Sequence, residues 1–353
     1  MDFSTVDESS SQVEGNDFRP EPHSMVQGRV LHHDSDFLAY QCGYKYEEES
    51  LDKSIENLKL AIETARIMAG AETIVLHLTM GNKGGRYELA RVKEYQAIRD
   101  TRPEGLSIRV GELRDFMANY NVPGVIPNVQ LDQEADDSLT QAMYEGIESG
   151  KDYVMWSMDK DLTMAPGIHM NPKTYELEEY PLGYGECVLD RSGSSAKVVG
   201  KGKSFFWHQM LIGDGADNIP GLPSFSVEIA SKRWPTKALL AAEARVRAAK
   251  TAKTKAAAKK TLQKQIDKIK PKKAGAVTSF DYLSKCHTNK TAFLAVNDAY
   301  IAHYGYGTFE HESWDGTVET MTAGDMLMEQ AQLLWMRRYK DENVYEFFKE
   351  IMA

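Results

Sequence analysis

Residues 131–139, LDQEADDSL, place Glu134, Asp136 and Asp137 within four positions, where a helical pattern begins. Carboxylates a few ångströms apart repel by roughly 4 kcal/mol per adjacent pair at an effective dielectric of about 20. A helix N-terminus, a lysine or a metal ion could each offset that crowding. Three further segments crowd acids similarly: Asp34 with Asp36, Asp159 with Asp161, and Asp214 with Asp217. Singly, each pair reads as a helix cap or a solvated face. Jointly they fit one cleft, because three of the four groups follow a strand or open a helix. Hard divalent cations such as Mg²⁺ prefer carboxylate oxygens and water, leaving positions for a phosphate. Two such ions suit in-line phosphodiester hydrolysis. No His or Cys is spaced for zinc.

The elements that must position these acids alternate. Arg29–His33 reads as a strand entering a helix, Ser54–Ala69 as an amphipathic helix and Thr73–Leu78 as a buried strand. The GNKGG loop precedes a charge-rich, helix-compatible stretch, Arg86–Asp100, and a second helix over Leu106–Tyr120. The acidic motif opens a helix running to Glu148, and DYVMWSM is a strand ending in DKD. Acids at strand C-termini in an α/β alternation predict an open, mostly parallel sheet with its site at those ends. Hairpins follow at HMNPKTYELEEY and CVLDRSGSSAKVV, then a helix over Phe205–Ile212, then GDGADNIPG and an all-helical remainder. The polar, acidic start, residues 1–25, reads as a disordered tail.

Composition bounds the partners. The 353 residues carry a net charge of −10, but Lys232–Lys273 holds 15 Lys/Arg against two acids, a charge of +13 that leaves −23 on the remainder. Such asymmetry suggests a basic arm on an acidic body. Within it, Lys237–Lys270 is Ala/Lys-rich with almost no apolar face, a projecting solvated helix or helical hairpin. Three scattered cysteines with no CxxC argue for a reducing compartment. No apolar run is long enough to span a bilayer and no signal peptide is apparent, so no membrane partner is expected.

The ordered set D-x-D, E-A-D-D, D-K-D and G-D-x-x-D-N-I-P-G resembles the flap endonuclease and 5′–3′ exonuclease superfamily. The likeness is greatest to exonucleases of short-tailed phages, including in the closing QAQLLWMRRYKDENVYEF. It covers residues 28–230 well and the rest loosely. The resemblance implies a PIN-like α/β core over 26–220, a helical arch around 83–120, and a helical DNA-binding region over 221–353. It assigns Asp34, Glu134, Asp136 and Asp137 to a first ion and Asp159, Asp161, Asp214 and Asp217 to a second. Two or three Mg²⁺ ions are expected, with Mn²⁺ as a substitute. Asp36 is an extra ligand or, by preference, a helix cap.

The resemblance also gives Arg86 and the YQAIR stretch phosphate-steering roles, with Tyr95 stacking a base and Arg99 contacting phosphate; packing on a helix is the plain alternative for Tyr95. Three positions depart from the pattern. Gln96 replaces the family's lysine, for which Lys93, three residues earlier on the same helix face, could substitute. Met80 replaces an acid after the second strand. Ser224 and Ser226 replace the Gly-x-Gly of the duplex-binding turn over 221–230, which puts a bound K⁺ there in question, although Ser226, Ser231, Lys232 and Arg233 could still contact phosphates. The expected activity is a metal-dependent 5′–3′ exonuclease acting as a monomer on duplex DNA ends, RNA–DNA primers and flaps, in the cytoplasm of a phage's host. The rivals are a non-catalytic DNA-end-binding relative and a PIN-type ribonuclease; the ribonucleases are far shorter and lack a basic helical region.

Overall fold

The computed structural model describes residues 20–97 and 102–353, so the tail before residue 20 and the segment holding Arg99 lie outside the described residues. Its centre is a six-stranded sheet in the order β3-β2-β1-β4-β5-β6. The strands are β1 (Val26–Asp34), β2 (Ala71–Thr79), β3 (Val125–Gln130), β4 (Tyr153–Trp156), β5 (Gly167–Met170) and β6 (Leu177–Tyr180). All neighbours are parallel except the β5–β6 hairpin. The chain leaves β1 toward β2 on one side and returns to β4 on the other, so β1 and β4 flank the switch point where open α/β sheets bind ligands.

Helices α1 (Ser35–Gly43), α2 (Leu51–Met68) and the later α4 (Glu104–Ala118) cover one face of the sheet. The second half of the expected arch, α4, packs against α1 and α2 and buries Leu106, Val110, Leu113 and Met117 in their core. Ser50 caps α2 by accepting from Lys53 N, and Leu58, Ile62 and Ala65 form its buried stripe. On the other face lies α5 (Ala135–Ser149), whose Ala135 N donates to Thr79 Oγ1 at the end of β2. Beneath α5, His32 Nδ1 lies 2.9 Å from His77 Nε2, and His77 bonds Ser138.

Of the helix expected over 86–100, the described residues 86–97 form a single turn, α3 (Arg86–Leu89), followed by irregular turns. Tertiary partners take the stretch's backbone groups one by one. Glu329 accepts from Arg91 N and Val92 N, Trp314 donates to the carbonyls of Ala90 and Arg91, and Asn218 donates to Glu94 O. Gln96 N donates to Asp217 O, and Gln96 itself sits at φ 57°, outside helical space. These bonds outweigh a helix propensity worth tenths of a kcal/mol per residue.

A second core forms around α6 (Ser204–Ile212), buried from Ser204 through Leu211 and therefore without a polar face. A hairpin, β7 (Glu186–Asp190) and β8 (Lys197–Lys201), leads into it. Then follow β9 (Ser224–Phe225), α7 (Val227–Arg233), α8 (Lys237–Ala248), α9 (Ala252–Ile266), β10 (Lys272–Lys273), α10 (Ala276–Leu283) and α11 (Asn289–Tyr304). The chain closes with β11 (Thr308–Glu312), β12 (Val318–Thr322), α12 (Ala323–Leu334) and α13 (Val344–Met352). Val296, Tyr300, Leu327, Leu334 and Phe347 of these helices surround Phe206 and Trp207. The division expected at residue 220 therefore falls after α6 has already joined the C-terminal core, and the expected all-helical remainder contains the β11–β12 hairpin.

One buried ion cluster joins the two cores. Arg86, 2% exposed, bonds Asp137 Oδ2 and Oδ1 at 2.8 and 3.0 Å, Glu134 Oε2 at 2.9 Å and the Trp335 carbonyl at 3.0 Å. Removing one partner of such a cluster strands the others in a low dielectric, at a cost of about 3–5 kcal/mol. Arg86→Met should lose about that much in urea unfolding, whereas a loss under about 1 kcal/mol would mean the cluster does not join the cores.

Candidate metal centre

The acids converge at the carboxyl ends of the parallel strands. Asp34 ends β1 and caps α1, its Oδ1 accepting from Phe37 N at 3.3 Å and its Oδ2 from Ser157 Oγ at 2.7 Å. The cap expected of Asp36 is thus made by Asp34. Asp36 instead accepts from Thr79 N and pairs with Arg114 Nε at 2.9 Å. Burial pushes the Asp34 carboxyl up to about 7, with Asp36 and Asp159 adding to the rise. Burial also raises Asp136 well above its ordinary value, and Asp159, Asp34 and Glu134 push in the same direction. These mutual effects place Asp34, Asp136 and Asp159 in one electrostatic group at the switch point.

Asp161, Asp214 and Asp217 form a second group, with one carboxylate oxygen of each lying within 4.8 Å of the others. Asp161 opens a 3₁₀ turn, Asp161–Met164, after β4. The other two stand in GDGADNIPG, whose spelling has a steric cause. Asp214 and Ile219 exchange backbone hydrogen bonds of 2.8 and 2.7 Å, closing a tight loop. At its base Gly213 and Gly221 hold φ of 79° and 65°, and a Cβ on Gly221 would stand 2.3 Å from Gly213 N. Only glycine fits there. Asp159 links the groups: burial raises it, Lys160 opposes, and Asp217 and Asp214 add to the rise.

A cation already stands in the second group. Lys160 Nζ lies 2.9 Å from Asp161 Oδ1 and 2.6 Å from Asp214 Oδ2. Against the upward effect of burial, Lys160 holds Asp214 below its ordinary value. Gln209 Nε2 donates to Asp161 Oδ1 at 2.6 Å. As the spacer of DKD, Lys160 carries no sequence signal of this partnership. The donor set, carboxylate oxygens with exposed Lys160 as the ammonium between Asp161 and Asp214, fits a hard cation.

Several predicted residues stand elsewhere. Asp137 is fully buried, and its oxygens accept from Arg86 and from Arg337 N at 3.0 Å, so it serves the ion cluster. Arg86, expected to steer phosphate, lies buried in that cluster. Tyr95, 3% exposed, is buried with its hydroxyl at 3.3 Å from Glu134 Oε2 and 3.4 Å from Asp217 Oδ2. Lys93 is exposed on coil and shares no helix face with Gln96. The lysine beside Gln96 is Lys83 of GNKGG, which donates to Gln96 Oε1 and stands 3.8 Å from Glu134 Oε1. Its glycine-rich setting signals a loop, not a ligand. Met80 is exposed at the end of β2. Ser226 caps α7, Ser231 donates to Glu228 O, and Ser224 bonds His303. Lys232 pairs with Glu228 on the surface, and Arg233 ties α7 to Asp281 and Ser284 of the α10 end.

No family model matches the chain. In sequence it is 24% identical over 134 residues to the flap endonuclease Xni of Shewanella piezotolerans, which covers 38% of this chain and 48% of that protein. It is 25% identical over 139 residues to a 5′–3′ exonuclease of Buchnera aphidicola, covering 39% and 44%, and 25% identical over 140 residues to DNA polymerase I of Rhizobium leguminosarum, covering 39% and 12%. The chain thus spans less than half the length of each of these curated relatives. Solved structures of the bacteriophage T5 D15 protein are also similar. The one co-crystallised with metal ions is 14% identical with a TM-score of 0.39, covering 77% of this chain and 98% of that one. The complex with DNA and metal ions is 12% identical with a TM-score of 0.40, covering 77% and 97%. Among the described residues no helix is long and apolar enough to cross a membrane.

The acids set a pH dependence of definite sign. The Asp34 carboxyl keeps its proton to about 7 in the folded chain but loses it near 4 when unfolded, so ionisation destabilises the fold progressively between those values. Buried His32 and His33, held down to about 4 and about 3, act oppositely below about 6.5. A difference measurement isolates the carboxylate. With EDTA, Asp34→Asn should raise the melting temperature over the parent by a margin that grows between about pH 4 and about pH 7, and Mg²⁺ should shrink that margin once the carboxyl is ionised, above about pH 7. A margin constant with pH would contradict the assignment. On the sequences that match and on the order of its acids, this chain is related to the flap endonuclease and 5′–3′ exonuclease superfamily.

Proposed function

We propose that the chain is a divalent-metal-dependent 5′–3′ exonuclease that hydrolyses phosphodiester bonds at duplex DNA ends, with RNA–DNA primers and flaps as further substrates. The observation that carries this reading is the convergence of Asp34, Asp136 and Asp159 with Asp161, Asp214 and Asp217 at the sheet's switch point. Asp34, Glu134 and Asp136 would hold a first Mg²⁺ and Asp159, Asp161, Asp214 and Asp217 a second, with Mn²⁺ able to replace either. When bound, the ions would supply Lewis acidity and a low-pKa water nucleophile. Asp159, between the groups, sets their separation. Ser157 orients Asp34 through its 2.7 Å bond, and Gln209 orients Asp161. Lys83, beside Glu134, takes the charge-neutralising role expected of Lys93.

A second reading, a DNA-end-binding relative without turnover, is favoured by Lys160 between Asp161 and Asp214. The readings part on one assay with end-labelled duplex, flap and hybrid substrates in Mg²⁺, Mn²⁺ or EDTA. Metal-dependent release of nucleotides supports the nuclease; binding with no release under any ion supports the second reading.

In the nuclease, Asp159→Asn with Asp161→Asn should abolish release while leaving or tightening DNA binding, because repulsion of phosphate is relieved. Lys83→Ala should slow single-turnover cleavage at least about tenfold, or about 1.4 kcal/mol, and Lys93→Ala should leave it unchanged. Equal losses in the two lysine variants would contradict the assignment to Lys83.

A further inference from the structure

Helices α8 and α9 form an antiparallel hairpin that carries a large uncompensated positive charge. Leu239 and Ala242 anchor α8, whereas α9 has no buried residue. Among the described residues, no Lys or Arg from Lys237 to Lys273 makes an ion pair. The half-buried residues of α9, Ala258, Thr261, Leu262, Gln265 and Ile266, face α8. At about 100° per residue, Lys253, Lys260 and Lys264 fall within about 40° of one another on the opposite, outward side. Their rises, about 10.5 and 6 Å, form a straight cationic stripe about 16 Å long. Aligned ammonium groups four residues apart destabilise an isolated helix. A stripe kept at that cost, on a body of charge −23, calls for a polyanion.

The hairpin is also held firmly at its root. Lys272 and Lys273 of β10 pair antiparallel with Phe225 and Ser224 of β9, closing the arm on the segment that follows GDGADNIPG. Lys272 Nζ sits 4.6 Å above the Trp234 ring, and Trp234 Nε1 donates to Asp281 Oδ2 at 2.7 Å. The arm therefore springs from a clamped root shortly after Asp217 in the chain.

We propose that the outward face of α9, through Lys253, Lys260 and Lys264, grips the phosphate backbone of duplex DNA beyond the cleavage point and holds the duplex on the acidic body. This rests on the nuclease reading of the metal centre. The face offers ammonium groups and alanines, with the Asp267 carboxylate at its C-terminal end held by Gln263 Nε2 at 2.8 Å; it has no aromatic pattern for reading bases, so the grip is independent of sequence. Small side chains between the lysines let the helix approach a phosphate ridge closely. Long duplexes should be degraded processively because the arm keeps hold between cuts.

The test compares the parent with Lys253→Gln/Lys260→Gln/Lys264→Gln, both in the Asp159→Asn/Asp161→Asn background, on a duplex long enough to pass the arm. These three side chains are exposed, so the fold is not at stake. Loss of three phosphate contacts should reduce the slope of log affinity against log salt by about 2–3 and weaken binding at least about tenfold at low salt. In the active background the same triple substitution should shorten runs on long duplexes and leave cleavage of a duplex too short to reach the arm unchanged. Parallel salt lines of equal intercept overturn the proposal while leaving the nuclease reading intact. Absence of duplex binding by the parent overturns both. Binding of anionic phosphatidylserine vesicles, with the salt slope on duplex unaltered by the substitutions, also overturns it.

Discussion

Carboxylates gathered where water is scarce must find positive charge, and most of this structure can be read from how that demand is met. Burial and mutual repulsion raise Asp34, Asp136 and Asp159 together. The chain supplies its own cations for part of the set. Arg86 neutralises Asp137 and Glu134 from within the core, and Lys160 reaches Asp161 and Asp214 from the rim. The difference in burial separates their roles. A guanidinium fixed on four acceptor contacts is a permanent part of the fold, whereas an exposed ammonium on a flexible stem can be displaced. Among the described residues, Asp34, Asp136 and Asp159 make no ion pair, and they stand at the switch point, where a ligand of an open α/β sheet is expected.

The same demand connects the two cores. Arg86 opens α3 after β2, Asp137 stands at the start of α5, and Trp335 and Arg337 come from the C-terminal segment. That arrangement ties the start of α5, which carries Asp136, to the C-terminal segment. It also gives the closing QAQLLWMRRYKDENVYEF a physical role. Arg338 in it bonds Glu342 and Glu350 at 2.7 Å each, bracing the segment that presents the Trp335 carbonyl to Arg86.

The sheet, its parallel sense and the acids at its strand ends are legible in the sequence because hydrophobic period and acid position are local signals. The glycines of GDGADNIPG are legible for the same reason: a positive φ admits few residues. What escapes depends on distant partners. Arg86–Asp100 carries a helix former's composition, but Glu329, Trp314 and Asp217 claim its backbone groups, and those lie far along the chain. The helix face that would carry Lys93 does not exist, and Lys83, in a glycine loop, gives no sign of its position beside Glu134. The β11–β12 hairpin does leave a trace, alternating TFEHE and VETMT around an Asp-Gly turn with Gly316 at φ 85°, faint among helical neighbours.

A cation site formed by the acids at the switch point and in the GDGADNIPG loop requires Lys160 to yield its place to a metal. A crystal grown or soaked with Mn²⁺ tests it directly through anomalous scattering. The expected result is one peak bounded by Asp161, Asp214 and Asp217, a second beside Asp34, Glu134 and Asp136 with Asp159 between the two, and Lys160 swung away from Asp161. A map without either peak, with Lys160 still bridging Asp161 and Asp214, would contradict it.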